Sequence, residues 1–151
     1  MSPRVLKDSV HPRLQSNACV RPLNFTVRGR MPSFPSVVPF PAFDSGRYEG
    51  SDFLMSEGDA ILTVRIAEAP PFKVRFSRVR WHHFTALYNC SAEQIESAYF
   101  KVAEITDSQP LEDYVRNDRA SLKAYRELHH YRVFLDGTGC HEIFSESCCA
   151  L

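Results

Sequence analysis

Two histidine pairs, His82-His83 and His129-His130, and the dipeptide Cys140-His141 are the residues of this chain best suited to chemistry. Imidazole and thiolate are natural zinc ligands, and three that converge around an open fourth position make a catalytic centre. His83, His129, His141 and Cys140 are the set that adjacent strands could assemble. Geometry resists it, because neighbouring residues on a strand point to opposite faces and only one member of each pair can serve a given site. The spacings typical of metal sites are missing as well. Histidines at strand ends are therefore the favoured reading, a small metal-dependent enzyme or metalloprotein is the alternative, and no cofactor is expected.

A nucleophilic cysteine needs a base or a helix N-terminus to make its thiolate. Cys90 stands just ahead of Ser91-Ala-Glu-Gln94, a helix-opening capping box, and is the better placed thiol; its plainer role is that of a small buried hydrophobe. Arg75, Arg78 and Arg80, with Lys73 and Trp81, form the most basic stretch of the folded body. Arginine binds carboxylate or phosphate through two parallel hydrogen bonds and tryptophan anchors interfaces, so Arg75, Arg78, Arg80 and Trp81 are the candidate binding residues. A solvated strand face paired with neighbouring glutamates is the competing account. The sequence contains no GxGxxG, GxxxxGK[ST], GxSxG or HExxH.

The elements that must position these groups can be read from periodicity. Ala60, Leu62, Val64 and Ile66 alternate with polar residues, which predicts a strand near 60–67. A second, near 72–80, follows from Phe72, Val74 and Phe76; its apolar parity changes at Val79 and Trp81, which predicts a bulge near Ser77–Arg78. For His82–Tyr88 the pattern decides nothing. Ile95, Ala98, Tyr99, Val102 and Ile105 share a helical stripe and predict a helix over 91–105. Ser108 caps a second helix over 109–116, and Leu122, Tyr125 and Leu128 suggest a third over 119–128. Strands near 131–136 and 140–145, joined by Asp136-Gly-Thr-Gly139, form a hairpin. The whole reads as an α+β domain: a small antiparallel sheet with two or three helices on one face.

Composition sets the context. The chain has 151 residues, 44% of them hydrophobic and 24% charged, with a net charge of zero. Residues 1–30 carry +5 and the remainder −5, and seven of the ten prolines lie at or before Pro41. Residues 1–42 are accordingly a basic, proline-rich segment and 43–151 the single domain. Residues 1–30 are expected to be disordered or to lie upstream of a start at Met31, while the apolar Met31–Phe43 stretch covers core or a second subunit. Five cysteines without a CxxC fit a reducing, cytoplasmic setting. No stretch is apolar enough to span a membrane, and the tail's sparse charge makes nucleic acid an improbable partner. A non-catalytic module binding a protein, a small ligand or a second copy of itself as a homodimer is the function these features favour.

Overall fold

A computed structural model describes residues 36–118 and 127–151, all within the unit Pro32–Leu151. Among them are nine strands and two α-helices. In chain order these are β1 (Ser36–Pro39), β2 (Tyr48–Ser56), β3 (Asp59–Ile66), β4 (Phe72–Ser77), β5 (Trp81–Ala86), α1 (Ala92–Ala98), β6 (Lys101–Glu104), α2 (Gln109–Asn117), β7 (His129–Leu135), β8 (Gly139–Ser145) and β9 (Ser147–Ala150). They build two antiparallel sheets, ordered β1-β6-β7-β8-β5 and β2-β3-β4-β9. The single small sheet expected from periodicity is thus two. The stretches read as neighbours near 60–67 and 72–80 lie in one, and the hairpin near 131–136 and 140–145 in the other.

The alternation of β3 does what it predicts. Ala60, Leu62, Val64 and Ile66 are buried, and they meet Val74 and Phe76 of β4 and Val102, Tyr131, Val133, Leu135 and Ile143 of the five-stranded sheet. Removing these side chains from water drives the sheets together, at about 25 cal/mol for each Å² of apolar surface. β2 escapes notice in the sequence because its inward residues are interrupted by Gly50 and Ser51 and its register shifts between Tyr48 and Gly50. Its turn to β3 is Glu57-Gly58, both at positive φ (52° and 88°), the backbone of the tight hairpin turns that match strand twist. Pro39 sits in edge strand β1, where its missing N–H costs no ladder bond. Next to it, Val38 is buried and Phe40 packs on Phe72 at 4.8 Å.

The parity change at Ser77–Arg78 marks more than a bulge. β4 ends at Ser77, Arg78 turns at φ 52°, and the chain leaves one sheet for the other as β5. Its antiparallel partner bends in step, with Glu146 separating β8 from β9. Ser77 pairs with Ser147 on one side of the corner and Trp81 with Phe144 on the other. The Glu146 N–H donates to Ser77 O (3.0 Å) and the Arg80 N–H to Phe144 O (2.8 Å), so the ladder continues around the bend. Strands that switch sheets at a bend are how packed sheets form corners.

One helical expectation needs correction. The capping box is present as read, Ser91 Oγ accepting from the Gln94 N–H (3.2 Å) and Gln94 Oε1 from the Ser91 N–H (2.9 Å), yet α1 stops at Ala98 instead of 105. Tyr99 is extended, Phe100 turns at φ 45°, and Lys101–Glu104 form β6 between β1 and β7. Val102 and Ala103 are both fully buried, one on each face of the sheet, which a helical stripe cannot achieve. Tertiary burial overrides propensity here. α2 matches its prediction, capped by Ser108. Of the third stretch, 119–126 lies outside the described residues, and Glu127 and Leu128 are not helical. Both helices cover the outer face of the five-stranded sheet: Ala98 and Ile95 of α1 pack on Phe134 and Cys140, and Tyr114 of α2 meets Phe144 edge-on at 5.4 Å. No helix among the described residues is long and apolar enough to cross a membrane.

Candidate functional site

β2 and β5 are end strands of different sheets, and they face one another across the interlayer gap. Register places His82 opposite Ile143 and Phe84 opposite His141, so His82, Phe84 and His141 all project from one face of the five-stranded sheet into that gap. Phe53 comes from β2 to meet them. Its ring is near-parallel to His82 (4.0 Å, 17°) and to His141 (5.2 Å, 23°). The two imidazoles are joined by His82 Nε2 and His141 Nδ1 at 3.0 Å. Their centroids are 5.3 Å apart and their planes differ by 16°. That separation is what end-to-end rings bridged by such a bond require, so the histidines form one flat plate lying against Phe53.

A cleft of about 460 Å³ opens over this plate. Met55 and Phe84 flank its mouth and remain 48% and 42% exposed. Ser51 and Thr138 close one end; Tyr48 Oη reaches both, at 3.2 and 2.5 Å. No lining residue carries a fixed charge. Burial pushes the His141 imidazole down to about 4, with the neighbouring His82 adding to the effect. Burial, then the proximity of His83, lowers His82 as well. Both rings are therefore neutral at pH 7. The arrangement can stack a flat apolar molecule and offer it uncharged imidazole nitrogens.

On the opposite face of the same sheet lies a buried polar network. Arg132 donates from Nε and Nη2 to Glu142 Oε1 (3.1 and 2.9 Å) and from Nη1 to Ser97 Oγ (3.1 Å) and Glu93 Oε1 (3.2 Å). Gln94 Nε2 donates to the other Glu142 oxygen (3.1 Å). His130 Nδ1 bonds Ser108 Oγ at 2.7 Å, and its Nε2 makes a longer, weaker approach to Glu142 Oε1 at 3.5 Å. His130 and then Arg132 hold the Glu142 carboxyl down near 2, against the opposing cost of burial. Ser108, His130 and Glu142 have the residue types of a hydrolytic triad. Ser108 and His130 are 6% and 3% exposed, however, and the serine oxygen already accepts the Leu111 N–H as the α2 cap (3.2 Å). The network fastens α1 and α2 to the sheet.

The residues singled out from the sequence are scattered. Arg75 lies on the outer face of the four-stranded sheet with its guanidinium on Asp59 (Nε–Oδ2 3.0 Å). The Arg78 N–H donates to Asp59 Oδ1 (2.9 Å), and this bond, followed by Arg75, lowers the Asp59 carboxyl. An open depression of about 620 Å³ next to them is bordered by Leu54, Ile61 and Leu151. Arg80 is exposed at the corner. Trp81 stands in the other sheet, stacked on Phe144 (4.5 Å) and His83 (5.7 Å). Arg75 and Arg78 thus share a surface that Trp81 does not.

Of the metal candidates, His83 and Cys140 face the helices, while His141 faces the interlayer gap. His129 shares the face of His141 but lies four residues further along the paired strands, roughly 13 Å away at strand spacing, with Nδ1 on Glu104 Oε1 (2.7 Å). Among the described residues no three His, Cys, Asp or Glu side chains converge on a point that could hold a metal ion. Burial raises the Cys90 thiol, and it donates weakly to Thr85 O and Ala86 O (3.4 and 3.5 Å), so the helix start does not activate it.

Of the cleft residues, His82 stood out in the sequence as half of a histidine pair and His141 as a candidate metal ligand; the others did not. Phe53 and Met55 alternate, as do His82 and Phe84; the signal existed, but each run is too short to tell a half-covered edge strand from a loop. Comparison with known proteins adds no relative: no protein-family model, curated protein or solved structure matches the chain.

Proposed function

We propose that the protein is a non-catalytic binding module whose interlayer cleft takes a small, flat, uncharged aromatic molecule. One observation carries the reading: Phe53, His82 and His141 form a continuous stack of near-parallel neutral rings at the mouth of a 460 Å³ cleft that has no charged lining residue. Cavities of a few hundred Å³ with aromatic walls and a few polar groups are the usual form of small-molecule sites. Offset stacking contributes about 0.5–1.5 kcal/mol per ring pair beyond burial. Catalysis is not part of the reading, because the Ser51 and Thr138 hydroxyls are bonded to Tyr48 and not to a histidine, and burial makes the His141 imidazole a poor base.

Met55 supplies the probe. The chain has three methionines, and Met55 lines the cleft, so its 13C-labelled methyl signal, assigned by Met55→Leu, reports directly on occupancy. Titration with indole should shift this signal saturably, and Phe53→Ala should weaken binding about tenfold by removing one stacking partner. A Met55 methyl that stays still at millimolar indole would refute the reading.

A further inference from the structure

We infer that the cleft selects a ring bearing a hydroxyl group, a neutral phenol-like ligand, and that the His82–His141 pair reads that hydroxyl. The inference rests on the binding reading above and adds the chemical class of the ligand. It follows from counting hydrogens. Two neutral imidazoles carry two N–H donors and two lone pairs between them. The bridge between His82 Nε2 and His141 Nδ1 consumes one donor and one lone pair. One donor and one acceptor remain, on His82 Nδ1 and His141 Nε2. If His82 Nε2 donates in the bridge, His82 Nδ1 is the free acceptor and His141 Nε2 the free donor; moving both protons along the pair exchanges the roles.

No hydrogen bond between described residues uses either remaining nitrogen. Neither is sealed in, since among the described residues His130 Nε2 is the one fully buried side-chain polar atom without a partner. His82 and His141 both line the cleft, so a polar group brought into it meets the pair. A carboxylate would find no cation in the lining and an ammonium no carboxylate. An ether or a ketone can use only the donor. A hydroxyl both donates and accepts through one oxygen, so it suits either proton arrangement, while its ring, held beside the imidazole edge and not over its face, packs against Met55 and Phe84 at the mouth of the cleft.

The test compares 2-naphthol with naphthalene, followed through the Met55 methyl signal at pH 7.5, where 2-naphthol is largely neutral. Naphthalene is the more apolar of the two, so burial alone would favour it. The expected result is the reverse: 2-naphthol binds about tenfold more tightly, the gain from one well-made hydrogen bond. The double substitution His82→Phe with His141→Phe keeps aromatic rings against Phe53 and removes both free nitrogens, so the advantage of 2-naphthol should fall below about twofold. If 2-naphthol and naphthalene bind the unaltered protein within twofold of each other, the hydroxyl inference is overturned while the aromatic cleft stands. If neither arene moves the signal, the binding reading fails and this one with it. The comparison on the unaltered protein decides the matter even if the double variant does not fold.

Discussion

Acid should loosen this protein well before its carboxylates protonate, and His141 is the reason. Its imidazole is 6% exposed, and burial pushes it from 6.5 to about 4. The folded state therefore refuses a proton that the unfolded chain accepts. Stability associated with this group is present in full above pH 6.5 and is lost as pH falls from there towards 4. A displacement of that size is worth roughly 3 kcal/mol, most of it gone by pH 4.5. His82 is displaced in the same direction and steepens the decline. Glu142 works in a separate window: its carboxyl falls from 4.5 to about 2, so its contribution is retained down to pH 4.5 and lost below. Urea unfolding at pH 7.0, 6.0, 5.0 and 4.5 isolates the histidine term. The native protein should lose about 2–3 kcal/mol over that range, and His141→Asn, which keeps an amide near the Nδ1 position, should lose much less. Unchanged stability between pH 7.0 and 4.5, or an identical slope in His141→Asn, would refute the assignment of a buried neutral imidazole.

Two further substitutions probe what holds the site in place. Glu142→Gln leaves the Arg132 guanidinium, 9% exposed, with its central anion removed, and should cost about 3–5 kcal/mol in urea unfolding; a loss under 1 kcal/mol would show that the network is not a fastening. Gly139 stands at φ 144°, and a Cβ there would lie 2.2 Å from Thr85 O. Gly139→Ala should therefore push β5 from β8, costing at least about 2 kcal/mol and broadening the His82 and Phe84 amide signals; unaltered signals would contradict the close approach.

How much of this was legible depended on how each side chain is buried. β3 and the start of β4 were plain because they cover the core with one face and present polar residues with the other. β7 and β8 were recognised from the alternation of Tyr131, Val133 and Leu135 with Arg132 and Phe134 and from the Asp136-Gly-Thr-Gly139 turn, although burial itself does not alternate from Tyr131 to Leu135. Val102 misled because a strand residue between β1 and β7 happened to fall in phase with the stripe of α1. The corner at Arg78 announced itself as a change of parity, but parity cannot say whether a strand twists over or departs for another sheet. The cleft was least legible of all. His82 and His141 are 59 residues apart and Phe53 lies on a strand the pattern concealed, so no local spacing records their meeting.

The corner also governs the order in which the molecule can form. β5 has β8 as its partner within the five-stranded sheet, and β9 is the second neighbour of β4 in the other. The five-stranded sheet is not complete until β8 ends at Ser145, nor the four-stranded sheet until β9 ends at Ala150. The hairpin of β2 and β3 can form early, but β5 must wait more than fifty residues for its partner. Pairings so distant in sequence carry a loop-closure cost before any contact compensates for it, which places folding with the slower, topologically non-local domains. During that wait β5 exposes Trp81 and Phe84, an unpaired apolar edge for which a chaperone or a second nascent chain would compete.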